Sequence, residues 1–164
     1  MSSVLELSRA FHRSTFRRKR TTPKPNGVIL YRGPSQLDGA PIVVIATGLA
    51  DASANTKTGA MIQTWILRAD TDPIEAKRGD MDTSICGDCP LRGAKCYVNV
   101  TQAPRAVFDG VRRGIYPRYV KRDHAKLFAG RALRVGSYGD PAAVPLRVWL
   151  AVVPLAKKVA GYTH

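Results

Sequence analysis

Acidic residues are scarce in this chain. Its 164 residues hold 12 Asp and Glu against 26 Lys and Arg, for a formal charge of +14. Such an excess spreads a positive field over the surface and draws polyanions, so nucleic acid is the expected partner. Long apolar runs are missing as well. No stretch approaches the ~20 apolar residues a membrane-spanning helix needs, and no membrane association is expected. A secretory hydrophobic segment is also lacking, which makes a reducing cytoplasm the expected compartment. Cysteine is rarer still, with three in the whole chain. An odd count cannot close into a disulfide framework.

What is present is concentrated. All three cysteines, Cys86, Cys89 and Cys96, fall in one glycine-containing loop over 84–97. A Cys-x2-Cys pair lets two thiolates bend toward one centre, and the third follows six residues later, so the loop reads as three ligands of one metal ion or iron–sulfur cluster. The Gly, Asp, Pro, Arg and Lys around them argue against three thiols buried in a core strand. A closed zinc site needs a fourth ligand from His124, His164, Asp88 or another carboxylate. An iron–sulfur cluster needs none if a small molecule completes it. Arg92 and Lys95 beside the thiols are expected to lower their pKa and favour the thiolate.

The rest of the chain organises around that loop. Residues 1–26 carry seven basic groups against a single Glu6, and read as a disordered basic arm, either meeting phosphates or simply solvated. Their Arg-rich, Ser-containing composition is also that of an organelle transit peptide. Pro23, Pro25 and Gly27 break regular structure, and a single α/β domain is expected over 27–164. Val28–Tyr31 and Ile42–Ala46 are short β-branched runs bounded by Gly and Pro, the pattern of buried strands, and Met61–Leu67 reads as a third strand. The turn Asn55–Gly59 suits a hairpin between the second and third. Gln102–Arg113 predicts a helix with Pro104 in its first turn. Residues 116–126 form a second short helix or a connection, and Leu133–Val135 a further strand. A loop over 136–141 and a helix over 142–160, limited or kinked by Pro145 and Pro154, complete a strand–loop–helix unit. In a parallel sheet that unit calls for another strand, and 161–164 ends the sequence where it would begin, so the expectation is either a different closure or a fragment of a larger α/β fold.

Two further groups carry candidate chemistry. Arg112, Arg113, Arg118, Lys121 and Arg122, interleaved with Tyr116 and Tyr119, combine cations for phosphates with rings for exposed bases. The plainer alternative is a solvated helix face with two packing tyrosines. Gly136, Tyr138 and Gly139 read as a cofactor-binding loop at a strand's carboxyl end, where open α/β folds place ligands. Asp140 beside them is either a catalytic base or hydrogen-bond acceptor, or a cap on the following helix.

Four motifs occur in order: Cys86-x2-Cys89-x6-Cys96-Tyr97, the Gly139-Asp140 pair, Trp149, and Gly161-Tyr162-Thr163-His164. This set resembles bacteriophage proteins of the gene-product-88 type over about residues 27–164. The closing Cys-Tyr also resembles the radical S-adenosylmethionine enzymes, although the spacing differs from their Cys-x3-Cys-x2-Cys. These resemblances imply a partial βα-barrel-like fold or a small mixed sheet with flanking helices, in a shortened copy. They imply the cytoplasm of a bacterial host, an iron–sulfur cluster or zinc on the cysteines, and S-adenosylmethionine as a candidate cofactor. The implied activity is modification of a nucleic-acid base or nucleotide. The alternative is a non-catalytic zinc-stapled nucleic-acid-binding protein. Composition does not fix the oligomeric state.

Overall fold

The β-branched runs become the first half of a sheet. A computed structural model describes residues 24–51 and 59–163; most of the basic arm, all of the expected turn before Gly59, and His164 lie outside the described residues. Strands β1 (Gly27–Pro34), β2 (Pro41–Thr47) and β3 (Ile62–Arg68) pair antiparallel in sequence order. Ile42 to Ala46 are all buried, alternate side chains included, so both faces of the sheet are covered at β2.

After β3 the chain makes four helices before it returns. These are α1 (Pro73–Arg78), α2 (Thr83–Cys86), α3 (Ala103–Arg112) and α4 (Lys121–Phe128). Strand β4 (Ala132–Tyr138) then pairs parallel with β3, as a long crossover allows. Helix α5 (Leu146–Val152) leads to β5 (Lys158–Gly161), parallel to β4. The five strands lie in the order β1-β2-β3-β4-β5. The fold is thus an α/β mixed sheet with flanking helices, its β1 edge met at Ile29 by the chain around Arg118.

Phe128, Leu133, Ile62, Ile66 and Val152 are fully buried in its core. Each such side chain contributes roughly 1.5–3 kcal/mol relative to an exposed one. Among the described residues no helix is long and apolar enough to cross a membrane.

Three expectations need correction. The single helix over 142–160 does not form: Pro145 caps α5, and Pro154 sits in a tight turn, Val153–Leu155, that ends it. A proline inside a helix removes a donor and clashes with the preceding turn. The further strand expected to be missing is present, because Lys158–Gly161 already forms β5 beside β4. The loop expected from Gly136 is in its first three residues still strand, since β4 runs on to Tyr138 through a bulge. In addition, the polar stretch 70–82 contains α1, started by Asp72, whose side chain accepts from the Ile74 amide at 2.8 Å, with Pro73 following it.

Candidate metal centre and its cavity

Cys86 closes the one-turn helix α2. The Cys86 amide donates to the Asp82 carbonyl and the Gly87 amide to the Thr83 carbonyl, both at 2.8 Å. Side chains tie this turn to the sheet. Arg68, at the end of β3, grips Asp70 and donates to Ser84 Oγ at 2.8 Å; Ser84 Oγ donates to Asp38 at 2.6 Å; and Ser35 Oγ donates to the Ser84 carbonyl at 2.6 Å. The turn between β1 and β2, the end of β3, and α2 are therefore one polar cluster. The Asp140 amide adds a backbone bond to the Ile85 carbonyl at 2.6 Å.

Beyond Gly87 the loop folds around Arg92. Its guanidinium pairs with Asp80, meets Asp82 Oδ1 at 3.1 Å, and donates to the Gly87 carbonyl at 3.1 Å. The Cys89 amide reaches the Cys86 carbonyl at 3.3 Å, and the Arg92 amide the Cys89 carbonyl at 3.0 Å. Arg92 thus holds the loop's shape. Tyr97, after the last cysteine, receives a hydrogen bond from Arg134 of β4, whose guanidinium also lies 5.9 Å from the ring centroid.

The end of β4 supplies the opposite wall. Between the pairs Gln63 with Arg134 and Trp65 with Tyr138, β4 advances four residues while β3 advances two. Thr64 spans the bulge: its hydroxyl accepts from the Gly136 amide at 2.9 Å and donates to the Arg134 carbonyl at 3.2 Å. Gly139 has φ +83, and a Cβ there would stand 2.7 Å from Ile66 Cβ and 3.2 Å from the Ile85 carbonyl oxygen. Glycine is required because β3, β4 and α2 meet at its backbone. Asp140 Oδ1 accepts from the Ala142 amide at 2.8 Å and from the Thr163 hydroxyl at 2.9 Å. The capping geometry expected as one alternative is present, and the same oxygen draws the 162–163 segment back over the site. Trp149 Nε1 donates to the Pro141 carbonyl at 3.0 Å and steadies that turn from α5.

These segments enclose a cavity of about 370 Å³. Cys86, Cys89 and Cys96 all line it, together with Gly136, Tyr138, Gly139 and Asp140, so the sequence-predicted ligand, cofactor and catalytic residues share one space. The cysteines are free and half-buried. Three thiols are a soft donor set that fits zinc or an iron–sulfur cluster. Among the described residues, no three His, Cys, Asp or Glu side chains stand grouped to hold an ion. The expectation that Arg92 lowers the thiols fails at Cys86, which is pushed up to about 12 by burial and then by the negative fields of Asp82, Cys96, Cys89 and Asp140. Arg92 is committed to carboxylates and a carbonyl instead.

Two hydroxyls in the wall, Ser137 Oγ and Tyr138 Oη, are buried and have no hydrogen-bond partner among the described residues. Burial, with the nearby thiols and Asp82 adding to it, raises the Tyr138 phenol. His124 is not at the cavity: its Nδ1 accepts from the Val120 amide at 2.8 Å at the start of its own helix. Asp88 is exposed and lines neighbouring depressions, not the cysteine cavity.

The basic and aromatic stretch lies along β1 instead. Ile29 exchanges backbone bonds with Pro117 and Tyr119 at 2.9 and 2.8 Å, laying the 116–120 connection beside the edge strand. Arg112, Arg113, Arg118, Lys121 and Arg122 are exposed. The tyrosines turn inward. The Tyr116 ring sits against Gly27 and Gly110, and Tyr119 packs edge-on to Phe128 at 5.8 Å between centroids. Burial raises both phenols.

Sequence reasoning missed Leu91 and Arg134 as parts of the site, read Ser137 only as a member of the 136–141 loop, and treated Tyr97, Tyr162 and Thr163 only as motif letters. Ser137 had a local signal, since it stands between two glycines in the bulge. Tyr162 and Thr163 had none, because only the β4–α5–β5 return brings them to Asp140. No protein-family model, curated protein or solved structure matches the chain.

Proposed function

We propose that this chain is a metal- or iron–sulfur-binding protein of phage type that engages nucleic acid, with the cysteine cavity as its working site. The observation that carries the reading is that Cys86, Cys89 and Cys96 line one cavity together with the bulged end of β4 and Thr163. The three thiolates would hold the group. Cys86 is anchored on α2, so holding a shared ion would require the 89–96 loop to move toward it, which would couple binding to loop ordering. When bound, a cluster would supply electron transfer and zinc Lewis acidity. The chain's own residues shape the pocket, exclude water from its floor and, through Gly136 to Asp140, form the wall facing a substrate. The exposed cations at 112, 113, 118, 121 and 122 favour nucleic acid as the partner, through phosphate contacts rather than stacking on Tyr116 or Tyr119.

Anaerobic purification with metal and sulfide analysis tests this. A brown protein with iron and sulfide supports a cluster, stoichiometric zinc supports a zinc site, and Cys89→Ala abolishes uptake of either. Undiminished metal in that variant refutes the site. Binding to single-stranded DNA weakens steeply with salt; salt-independent or absent binding removes the nucleic-acid half.

A second reading has an observation in its favour. Asp140 Oδ1 is engaged by the Ala142 amide and the Thr163 hydroxyl, as in a structural cap rather than a general base. That suits a zinc-stapled, non-catalytic nucleic-acid-binding protein, and retention of strand binding with zinc and without any base modification supports it.

A further inference from the structure

We infer that the mouth of the cysteine cavity binds one unpaired nucleobase, stacked against Tyr97 and Tyr162. This rests on the cavity being the working site of a nucleic-acid-binding protein, and it names the moiety that enters.

The aromatic residues at the mouth are the first support. Tyr97 and Tyr162 line the cavity yet are 69% and 78% exposed. They differ in this from Tyr116 and Tyr119, whose rings pack into the fold. Tyr97 is nevertheless held, by the Arg134 hydrogen bond and by the guanidinium against its ring. A ring fixed in place and left in water is a stacking surface. Pro90, Leu91 and Val98 extend the apolar lining.

The polar atoms are the second. Ser137 and Tyr138 are 5% and 4% exposed, and their hydroxyls lack partners among the described residues. Buried hydroxyls are normally paired, and leaving one unpaired is costly. Both residues line the cavity from the β4 bulge, and a small turn of either side chain would bring its closed-off hydroxyl to a ligand's polar edge. An acyl chain would leave them bare, and a phosphate or a sugar would leave the aromatic faces unused. A nucleobase offers a flat face and a hydrogen-bonding edge together.

Size and charge complete the case. A space of about 370 Å³ falls at the small end of ligand sites, which run to roughly 300–1,000 Å³. It admits a single base with its sugar and excludes a duplex, so the base comes from a single strand or is extruded from a pair. Arg134 at the rim is a cation beside the stacking ring, where the adjoining phosphate would lie.

The test is photocrosslinking of a short oligothymidylate carrying one 5-iodouracil, with the crosslinked peptide mapped by mass spectrometry and affinity measured by fluorescence anisotropy. Crosslinks are expected at Tyr97 or Tyr162. Tyr97→Ala and Tyr162→Ala each weaken binding about tenfold, as expected for loss of one stacked base, while Tyr97→Phe retains most of it. Thymidine monophosphate as competitor separates the two sources of the base: loss of the cavity crosslink at concentrations that leave the strand bound identifies a free nucleotide as the preferred occupant, and persistence identifies the strand. Crosslinks confined to 112–122, with affinity unchanged in both alanine variants, overturn the inference and leave nucleic-acid binding standing. Absence of salt-sensitive binding by the unaltered protein overturns both.

Discussion

The cysteine cavity and the basic ridge are built on opposite plans. The ridge is local: its cations lie within 112–122, exposed on α3, α4 and the connection between them. The cavity is assembled from α2, the 87–97 loop, the end of β4 and the 162–163 segment, and its walls depend on backbone contacts such as Asp140 to Ile85. A local charged surface can change without disturbing the fold, whereas a wall shared by distant segments cannot. Stability measurements on variants of the two regions should therefore diverge.

The largest effect is expected where the segments meet. Gly139→Ala forces a Cβ to 2.7 Å from Ile66 Cβ at φ +83. Strain and overpacking together should cost about 3 kcal/mol, read as a lower urea midpoint. An unchanged midpoint would mean that β3, β4 and α2 are not locked together at this residue. A smaller loss follows from Thr64→Val, which keeps the shape but leaves the Gly136 amide without the acceptor that spans the bulge. Burying that amide unpaired costs about 1–3 kcal/mol. The variant's loss of stability should come with faster amide exchange at Gly136, and a loss without that exchange would place the damage elsewhere.

The same contrast explains what could be read from the chain. Ile42 to Ala46 announces a strand because burial on both faces needs a continuous apolar run, and the helix over 102–113 announces itself by its proline and by Val107 and Val111. The cysteines were legible as a set because thiols so closely spaced have few other uses. What was not legible depends on pairing. Nothing in Gly136-Ser137-Tyr138 marks it as strand, since the bulge exists only against Thr64. Lys158 to Gly161 looks like the tail of a helix until Pro154 ends α5 and the segment finds β4. Arg92 was misjudged for a similar reason: proximity in sequence put it beside the thiols, while the fold spends it on Asp80, Asp82 and Gly87.

On the ridge the outcome should reverse. Replacing Arg112, Arg113, Arg118, Lys121 and Arg122 with Gln removes exposed charge, and each site alone should shift stability by no more than about 0.5 kcal/mol. Strand affinity should fall, and the dependence of log affinity on log salt should flatten by roughly 0.7 for each phosphate that is no longer neutralised. A variant that loses stability but keeps its salt slope would erase the distinction between the two regions.

The smallest effect belongs to the polar cluster that holds α2. The Ser84 hydroxyl donates to Asp38, and this bond keeps the Asp38 carboxyl below the usual carboxylate range against the opposing effect of burial; the Ala40 amide and the charge of Arg68 add smaller lowering contributions. A carboxyl whose folded pKa is depressed stabilises the fold most where it is ionised in both states. Its contribution is therefore complete above the unfolded value of about 3.9 and fades as pH falls through the folded one. Asp38 is exposed, so solvent screens the interaction and the change should be slight. Asp38→Asn should lower stability slightly at neutral pH and make the acid limb of the stability curve shallower below about pH 4. An acid limb identical in the two proteins would show that Ser84 is held by Arg68 and Ser35 alone, and that the carboxylate only accompanies them.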